Sequence, residues 1–391
     1  MIPEIERKAV LALFPYFSRL FPSIIDVGSN KGDWASVLVQ NVSVARLFEP
    51  NEILLHYSQV RFRHIRHIFY NALAVSDDHG EVEFIYFEDE HDGLSNIIGN
   101  DRWDYLSPLR KKVKCIPLWS IAGRDTRADL LKIDVEGAEM KVLKGAEMIL
   151  KQKGIKFIEV EHADHIEVTG YKFQDIIDYL QPFGYAPFHF DGENFIPFID
   201  QQAENIFFMD AHFTQDWNKE FIKNTRGLGP FNFVLEIGCF EGLTTRYICD
   251  NLLTKEGRMI AVDPLEDQYT DEADEETNKM FVGQFERFTR NTRGYPVELK
   301  RERSQNVFKG DFMHYRFDFI YVDGHHGEVE VFEDGCNAFK VLRKGGYMLF
   351  DDYQGYRDET TRGIDRFIDL HQGKMTIKIK EYQLLIQKHT D

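Results

Sequence analysis

The chain has 391 residues, with 47 Lys and Arg against 65 Asp and Glu, a formal net charge of −18. That length leaves room for two domains, and so acidic a chain repels a phosphate backbone or an anionic bilayer, which argues against nucleic acid and membrane partners. No apolar run reaches the roughly 18 residues of a transmembrane helix.

The first apolar run, Val10 to Phe17, follows Glu4, Glu6, Arg7 and Lys8. A secretory leader is basic first and ends in a small-residue cleavage site, so an amphipathic helix packed on its own domain is expected. The four cysteines, Cys115, Cys239, Cys249 and Cys336, are scattered. They form neither a disulfide framework nor the paired spacing of a zinc site. Reduced, buried thiols in a cytoplasmic protein are the expectation.

A strand and turn come next: Ile24-Ile25-Asp26-Val27-Gly28-Ser29-Asn30-Lys31-Gly32. An apolar strand, an acid two residues before a glycine, and a second glycine four residues later precede a helical pattern. Glu49 closes the following strand, 23 residues after Asp26. The stretch Arg61 to His67 reads as a basic helix with a solvated face. Leu130-Leu131-Lys132-Ile133-Asp134 is another strand ending in an acid, and Phe157-Ile158-Glu159-Val160-Glu161 follows, with His162 after it. Asp134, Glu161 and His162 fall in one register as a candidate acceptor-activating cluster. Glu136 and Glu139 belong to the first turn of the helix between these strands, as caps or as site residues.

After a boundary near residue 210 the same order returns. Val234-Leu235-Glu236-Ile237-Gly238-Cys239-Phe240-Glu241-Gly242 repeats the strand, acid and glycine turn, and Asp263 closes the next strand 27 residues after Glu236. A run with seven acids in eleven positions, Glu266 to Glu276, reads as a solvated loop. Phe319-Ile320-Tyr321-Val322-Asp323 and Tyr347-Met348-Leu349-Phe350-Asp351-Asp352 complete the set. Short apolar strands alternating with helices predict α/β architecture. Two Rossmann-like domains are expected, residues 1–210 and 211–391, each a mainly parallel, doubly wound sheet with its acids beyond the carboxyl ends of the strands.

A glycine turn at a helix N-terminus makes a nucleotide pocket. A dinucleotide fold wants Gly-x-Gly-x-x-Gly around an anionic pyrophosphate, and neither turn has it. An acid there suits a cation instead. S-adenosylmethionine carries an ammonium, a sulfonium and a ribose diol; Asp26 and Glu236 would face its methionine end, and Glu49 and Asp263 its ribose. One molecule per domain is expected.

The first half resembles the FkbM family of methyltransferases over residues 20–165, through Asp26 to Gly32, Phe48-Glu49-Pro50, Ala74 to Gly80, Leu131 to Glu139 and Val142 to Ala146. It departs at Trp119, where that family usually has Asp. The second half looks like the class I sugar methyltransferases related to macrocin O-methyltransferase, over residues 230–355. The resemblance lies in Glu236 to Gly238, Gly242 to Thr245, Val262-Asp263, Ser304, Val322 to His326, Asp334, Gly345-Gly346 and Asp351 to Tyr353. Both resemblances imply class I methyl transfer to hydroxyls of a sugar or glycan acceptor, free or nucleotide-linked. They imply cofactor contacts at Asp26, Gly28, Asn30, Gly32, Glu49, Ser76, Glu236, Gly238, Gly242, Thr244, Asp263 and Ser304. For catalysis they and the spacing point to Asp134 and His162 in the first half, and to Asp323, His325 and His326 in the second. Asp323, Asp351 and Asp352 are expected to hold Mg²⁺ or a similar divalent cation, which prefers oxygen ligands; helix capping is their other reading. The rivals to two active domains are one active domain with a scaffold, and a non-catalytic cofactor-binding assembly subunit.

Overall fold

The computed structural model describes residues 2–18, 22–87, 109–122, 126–162, 170–198, 205–210, 216–266, 281–355 and 358–390. His165 and nearly all of the acidic run after Glu266 lie outside them. The chain divides into two compact units, Met1–Phe213 and Thr214–Asp391.

The strands of the first unit are β1 (Ser23–Val27), β2 (Val44–Phe48), β3 (Ile68–Asn71), β4 (Ala74–Val75), β5 (Gly80–Tyr86), β6 (Leu109–Ile116), β7 (Ala128–Ile133), β8 (Ile155–Glu161), β9 (Tyr185–Phe190), β10 (Phe195–Pro197) and β11 (Asn205–Asp210). The main sheet runs β3-β2-β1-β7-β8-β11-β9-β10, and β4, β6 and β5 form a separate small sheet. β3, β2, β1, β7 and β8 are mutually parallel, and β11 runs antiparallel to both its neighbours. The second unit has β12 (Phe231–Ile237), β13 (Leu253–Val262), β14 (Val297–Lys300), β15 (Phe317–Val322), β16 (Leu342–Phe350), β17 (Met375–Lys380) and β18 (Leu384–Lys388). Its sheet runs β14-β13-β12-β15-β16-β18-β17, with β18 reversed. β10 apart, the two orders are the same.

Burial explains the apolar runs. β1, β7 and β15 are buried at every position, as parallel strands covered on both faces must be. The edge strand β17 is instead largely exposed and carries Lys378 and Lys380, charges that discourage pairing with another chain. The amphipathic first helix spans Glu4–Leu13 and buries Ala9, Val10 and Leu13. Cys115, Cys239 and Cys249 are buried free thiols, and Cys336 is half-buried.

One expectation fails locally. Of the stretch Arg61 to His67, only Arg61 is helical, as the last residue of the helix Glu52–Arg61. The chain turns at Phe62, and His67 Nε2 meets the Val39 carbonyl at 2.7 Å. The Phe62 ring packs against the Gly32 turn, and its backbone leaves the helical region at φ −104° and ψ 19°.

A buried acid ties the first strand of each sheet to its neighbour. Asp129 accepts from Ser18 N and Ser23 N, both at 2.8 Å, and faces Lys156 at 3.0 Å. Asp318 accepts from Asn232 N at 2.6 Å and Phe233 N at 3.1 Å, and faces Arg343 at 2.9 Å. Both sit at the amino ends of their strands, away from the glycine turns. In each sheet the strand order reverses beside the first strand, between β1 and β7 and between β12 and β15. Ligands of doubly wound sheets bind beyond the carboxyl ends at such a point.

Candidate active site

Both glycine turns are built in the same way. Gly28 and Gly238 each have φ +81°, in the region glycine alone enters at little cost. A Cβ on Gly28 would lie 1.7 Å from the Asp134 carbonyl oxygen, and one on Gly238 would lie 1.8 Å from that of Asp323. The missing side chain therefore lets β1 touch the end of β7, and β12 the end of β15. Gly32 and Gly242 are also left-handed, each against a phenylalanine ring, Phe62 and Phe288. Asn30 and Phe240 take positive φ within the turns.

The acids of the second strands hold these turns. Glu49 accepts from Asn30 N at 3.0 Å and Asn51 N at 2.8 Å. Asp263 accepts from Cys239 N at 2.9 Å, Phe240 N at 3.0 Å and Leu265 N at 2.9 Å. An acid that already orders the turn presents its remaining lone pairs to the crevice edge. Burial pushes the Glu49 carboxyl up to about 7, against two hydrogen bonds that pull it down.

Asp26 and Glu236 are fully buried at equivalent positions, paired in register with Lys132 and Tyr321. Neither Asp26 oxygen accepts a hydrogen bond, and Lys132 Nζ stands 3.9 Å away. Glu236 receives the Thr245 hydroxyl on Oε2, while Oε1 has no hydrogen-bond partner. Burial raises Asp26 to about 6 and Glu236 to about 8. Such buried, incompletely satisfied carboxyls are costly unless a ligand completes them.

These shifts carry a stability prediction. From its ordinary value of 4.5 up to about 8, Glu236 keeps a proton in the folded chain that the unfolded chain has lost. Stability therefore falls as pH rises through that window. Asp26, from 3.8 to about 6, and Glu49, from 4.5 to about 7, act in the same direction. The ligand-free melting temperature is expected to drop steadily between about pH 5 and pH 8; a constant or rising value in differential scanning fluorimetry would contradict it.

The strand-end acids differ between the units. In the first, Asp134, Glu136 and Glu161 bring one oxygen each to within 4.8 Å of one another. Glu136 reaches the cluster from a turn with φ +57°. Burial first, then Asp134 and Glu136, raise Glu161 to about 9. Glu139 does something else: its Oε1 accepts from Gly137 N at 2.9 Å and Val135 N at 3.3 Å, holding the turn that precedes its own helix, Glu139–Gly145. The expected third member, His162, lies against the rings of Phe173 and Phe198, at 4.3 and 5.6 Å between centroids. His162 follows the last residue of β8, and the acids whose oxygens converge are Asp134, Glu136 and Glu161.

In the second unit Asp323, Asp351 and Asp352 are neighbours at adjacent strand ends. Asp323 is pushed well above the carboxylate range, by burial and then by Asp351 and Asp352. Gln383 Nε2 donates to Asp351 at 2.6 Å. The Tyr382 hydroxyl donates to Asp352 Oδ1, and His326 Nδ1 faces Asp352 Oδ2 at 3.3 Å. His325, by contrast, is half exposed and its Nδ1 accepts from Gly327 N at 3.0 Å. Gly327 is the residue just before the helix Glu328–Val341, so the two adjacent histidines have different partners. A hard divalent cation fits this donor set by chemistry, since all three ligands are carboxylates. Among the described residues, though, the acids with mutually converged oxygens are those of the first unit.

Of the remaining expected contacts, Thr244 is buried in the first turn of the helix after Gly242. Ser304 donates to Asp334 at 2.5 Å after β14. Ser76 closes β4 in the small sheet and donates to Asp77 at 3.0 Å. Lys132, Tyr321, Tyr382 and Gln383 were not foreseen as site residues. Lys132 had a visible signal, a charge inside an apolar strand two residues before Asp134. Tyr382 and Gln383 had none, since they come from the hairpin between β17 and β18.

Comparison with known proteins agrees with the duplicated plan. Residues 26–187 match the family model described as methyltransferase FkbM domain, and residues 235–353 one described as methyltransferase domain. An uncharacterized protein of Acanthamoeba polyphaga mimivirus is 30% identical over 166 residues, 40% of this chain and 67% of its own. Among solved structures, an O-methyltransferase from Bacillus cereus in complex with SAH is 18% identical, covering 46% of this chain and 84% of its own, with a TM-score of 0.32. The O-methyltransferase TomG from Streptomyces achromogenes, involved in tomaymycin synthesis and in complex with SAM, is 19% identical. It covers 41% of this chain and 74% of its own, with a TM-score of 0.30. Among the described residues no helix is long and apolar enough to cross a membrane.

Proposed function

This chain belongs to the FkbM methyltransferases through residues 26–187 and carries a second methyltransferase domain at residues 235–353; on that footing we propose that it is a bifunctional S-adenosylmethionine-dependent O-methyltransferase acting on hydroxyls of a sugar or glycan. The observation that carries the reading is the duplicated buried acid, Asp26 and Glu236, beside a glycine turn clamped by Glu49 and Asp263. A buried carboxyl left incompletely bonded suits the ammonium group of the methyl donor, and the strand-two acid suits its ribose diol. Dinucleotide chemistry would place pyrophosphate where this structure keeps an acid.

In the second domain the acceptor hydroxyl attacks the donor's methyl carbon in line. The O–C bond forms, the C–S bond breaks, S-adenosylhomocysteine leaves, and the hydroxyl proton passes to His326. Asp352 at Nδ1 fixes that ring and favours the tautomer with its basic nitrogen at Nε2. Asp323, Asp351 and Asp352 would hold a divalent cation, which when bound lowers the pKa of the acceptor hydroxyl. In the first domain Asp134, which neighbours Lys132 and Glu161, would receive the proton.

Calorimetric titration of the full chain is expected to give two S-adenosylmethionine sites, and Asp26→Ala and Glu236→Ala one each. A stoichiometry of one in the unmodified chain would remove the double-site reading. Linkage analysis of sugars labelled from methyl-labelled donor, in a pool of glycans and nucleotide sugars, identifies the acceptor.

A further inference from the structure

The two domains differ at one register position. Asp26 pairs with Lys132, and its counterpart Glu236 pairs with Tyr321. Lys132 is nearly fully buried, and its ammonium lies 2.6 Å from Asp134 Oδ2 and 3.9 Å from Asp26 Oδ1. A lysine pays heavily for such burial unless carboxylates surround it. Here burial opposes the charge, and Asp134 and Asp26 more than offset it, holding Lys132 protonated. In the other domain the Tyr321 hydroxyl lies 3.3 Å from Asp323 Oδ2. A neutral phenol supplies a hydrogen bond but no charge, and the acids at that strand end are left to repel one another.

We propose that Lys132 is the built-in cation of the first domain, a positioning residue that holds Asp134 and its acidic neighbours in place and excludes a divalent metal ion from them. Carboxylates that converge as closely as Asp134, Glu136 and Glu161 need a proton or a positive charge nearby, and the proton on Glu161 leaves Asp134 and Glu136 to be balanced. An ammonium 2.6 Å from one of them provides it and repels a second cation. The inference deepens the proposed function: one fold would balance its strand-end acids with a lysine in one domain and with a metal in the other.

The test is Mn²⁺ binding by electron paramagnetic resonance, which requires no methyl transfer. The full chain carries Asp323→Asn and Asp351→Asn, to silence the second domain's acids. With Lys132 present, no tight Mn²⁺ site is expected. Lys132→Met is expected to gain one, which Glu161→Gln removes again, while Lys132→Arg gains none. A tight site in the presence of Lys132 that Glu161→Gln abolishes would overturn the proposal, and this arm holds even should Lys132→Met fail to fold. A folded Lys132→Met variant that binds no Mn²⁺ would overturn it too. Methyl transfer by the first domain is expected to fall at least tenfold in Lys132→Met and to recover in Lys132→Arg. Because donor titration is a separate measurement, failure here and failure of the methyltransferase reading are distinguishable.

Discussion

Gly28→Ala and Gly238→Ala are each expected to abolish one of the two donor sites and to destabilise the domain that carries it. The added methyl would stand 1.7 Å from the Asp134 carbonyl oxygen or 1.8 Å from that of Asp323. Both obstacles are backbone, so no side chain can swing aside. The φ of +81° adds a conformational cost, on the order of 1 kcal/mol for a residue with a Cβ. Separating the two strand ends brings the total to about 4 kcal/mol. For a domain of this size that lowers the melting temperature by roughly 8–16 °C. Gly80→Ala is the control. Nothing lies within 4 Å of its Cβ position, so a change within about 0.5 kcal/mol is expected. Calorimetry and melting on the three variants check the result; a Gly238→Ala protein that still binds two donors would refute the close-approach argument.

His326→Gln is expected to lower methyl transfer by the second domain by about 10²–10⁴-fold, the usual worth of a positioned general base. Donor stoichiometry should stay at two, because the ring pairs with Asp352 whereas the proposed donor acids are Glu236 and Asp263. His325→Gln is expected to cost less than about threefold, since its ring is half exposed and serves the Gly327 N–H. Equal losses in the two variants would mean that neither ring is the base. Chelation with EDTA is expected to slow the second domain's transfer and leave that of the first unchanged. The assay uses methyl-labelled donor and follows each product separately. Asp352→Asn should cost at least as much as His326→Gln, because it loses both the charge that orients the ring and a ligand of the cation.

Much of this was readable in the chain itself. The acid, glycine turn and acid recur in order at Asp26, Gly28 and Glu49 and at Glu236, Gly238 and Asp263, and the structure builds both sets alike. Local spacing sufficed because each set spans one strand, one turn and the next strand, so neighbours in sequence are neighbours in space. The apolar runs marked strands because parallel strands are buried on both faces.

Other features depended on residues far apart. His326 and His325 are adjacent in sequence and of the same type, and only the arrival of Asp352 beside one ring and Gly327 beside the other separates them. Tyr382 and Gln383 reach Asp352 and Asp351 from a hairpin about 30 residues on; no periodicity announces a hydrogen bond closed by a loop. His162 packs against Phe173 and Phe198, 11 and 36 residues further along the chain. The chain alone therefore determined that there are two nucleotide-type crevices with acids at their mouths, since that follows from short-range pattern. Which acids share a cation, a proton or a hydrogen bond was decided by the tertiary fold, because those energies fall steeply with distances that sequence spacing does not set.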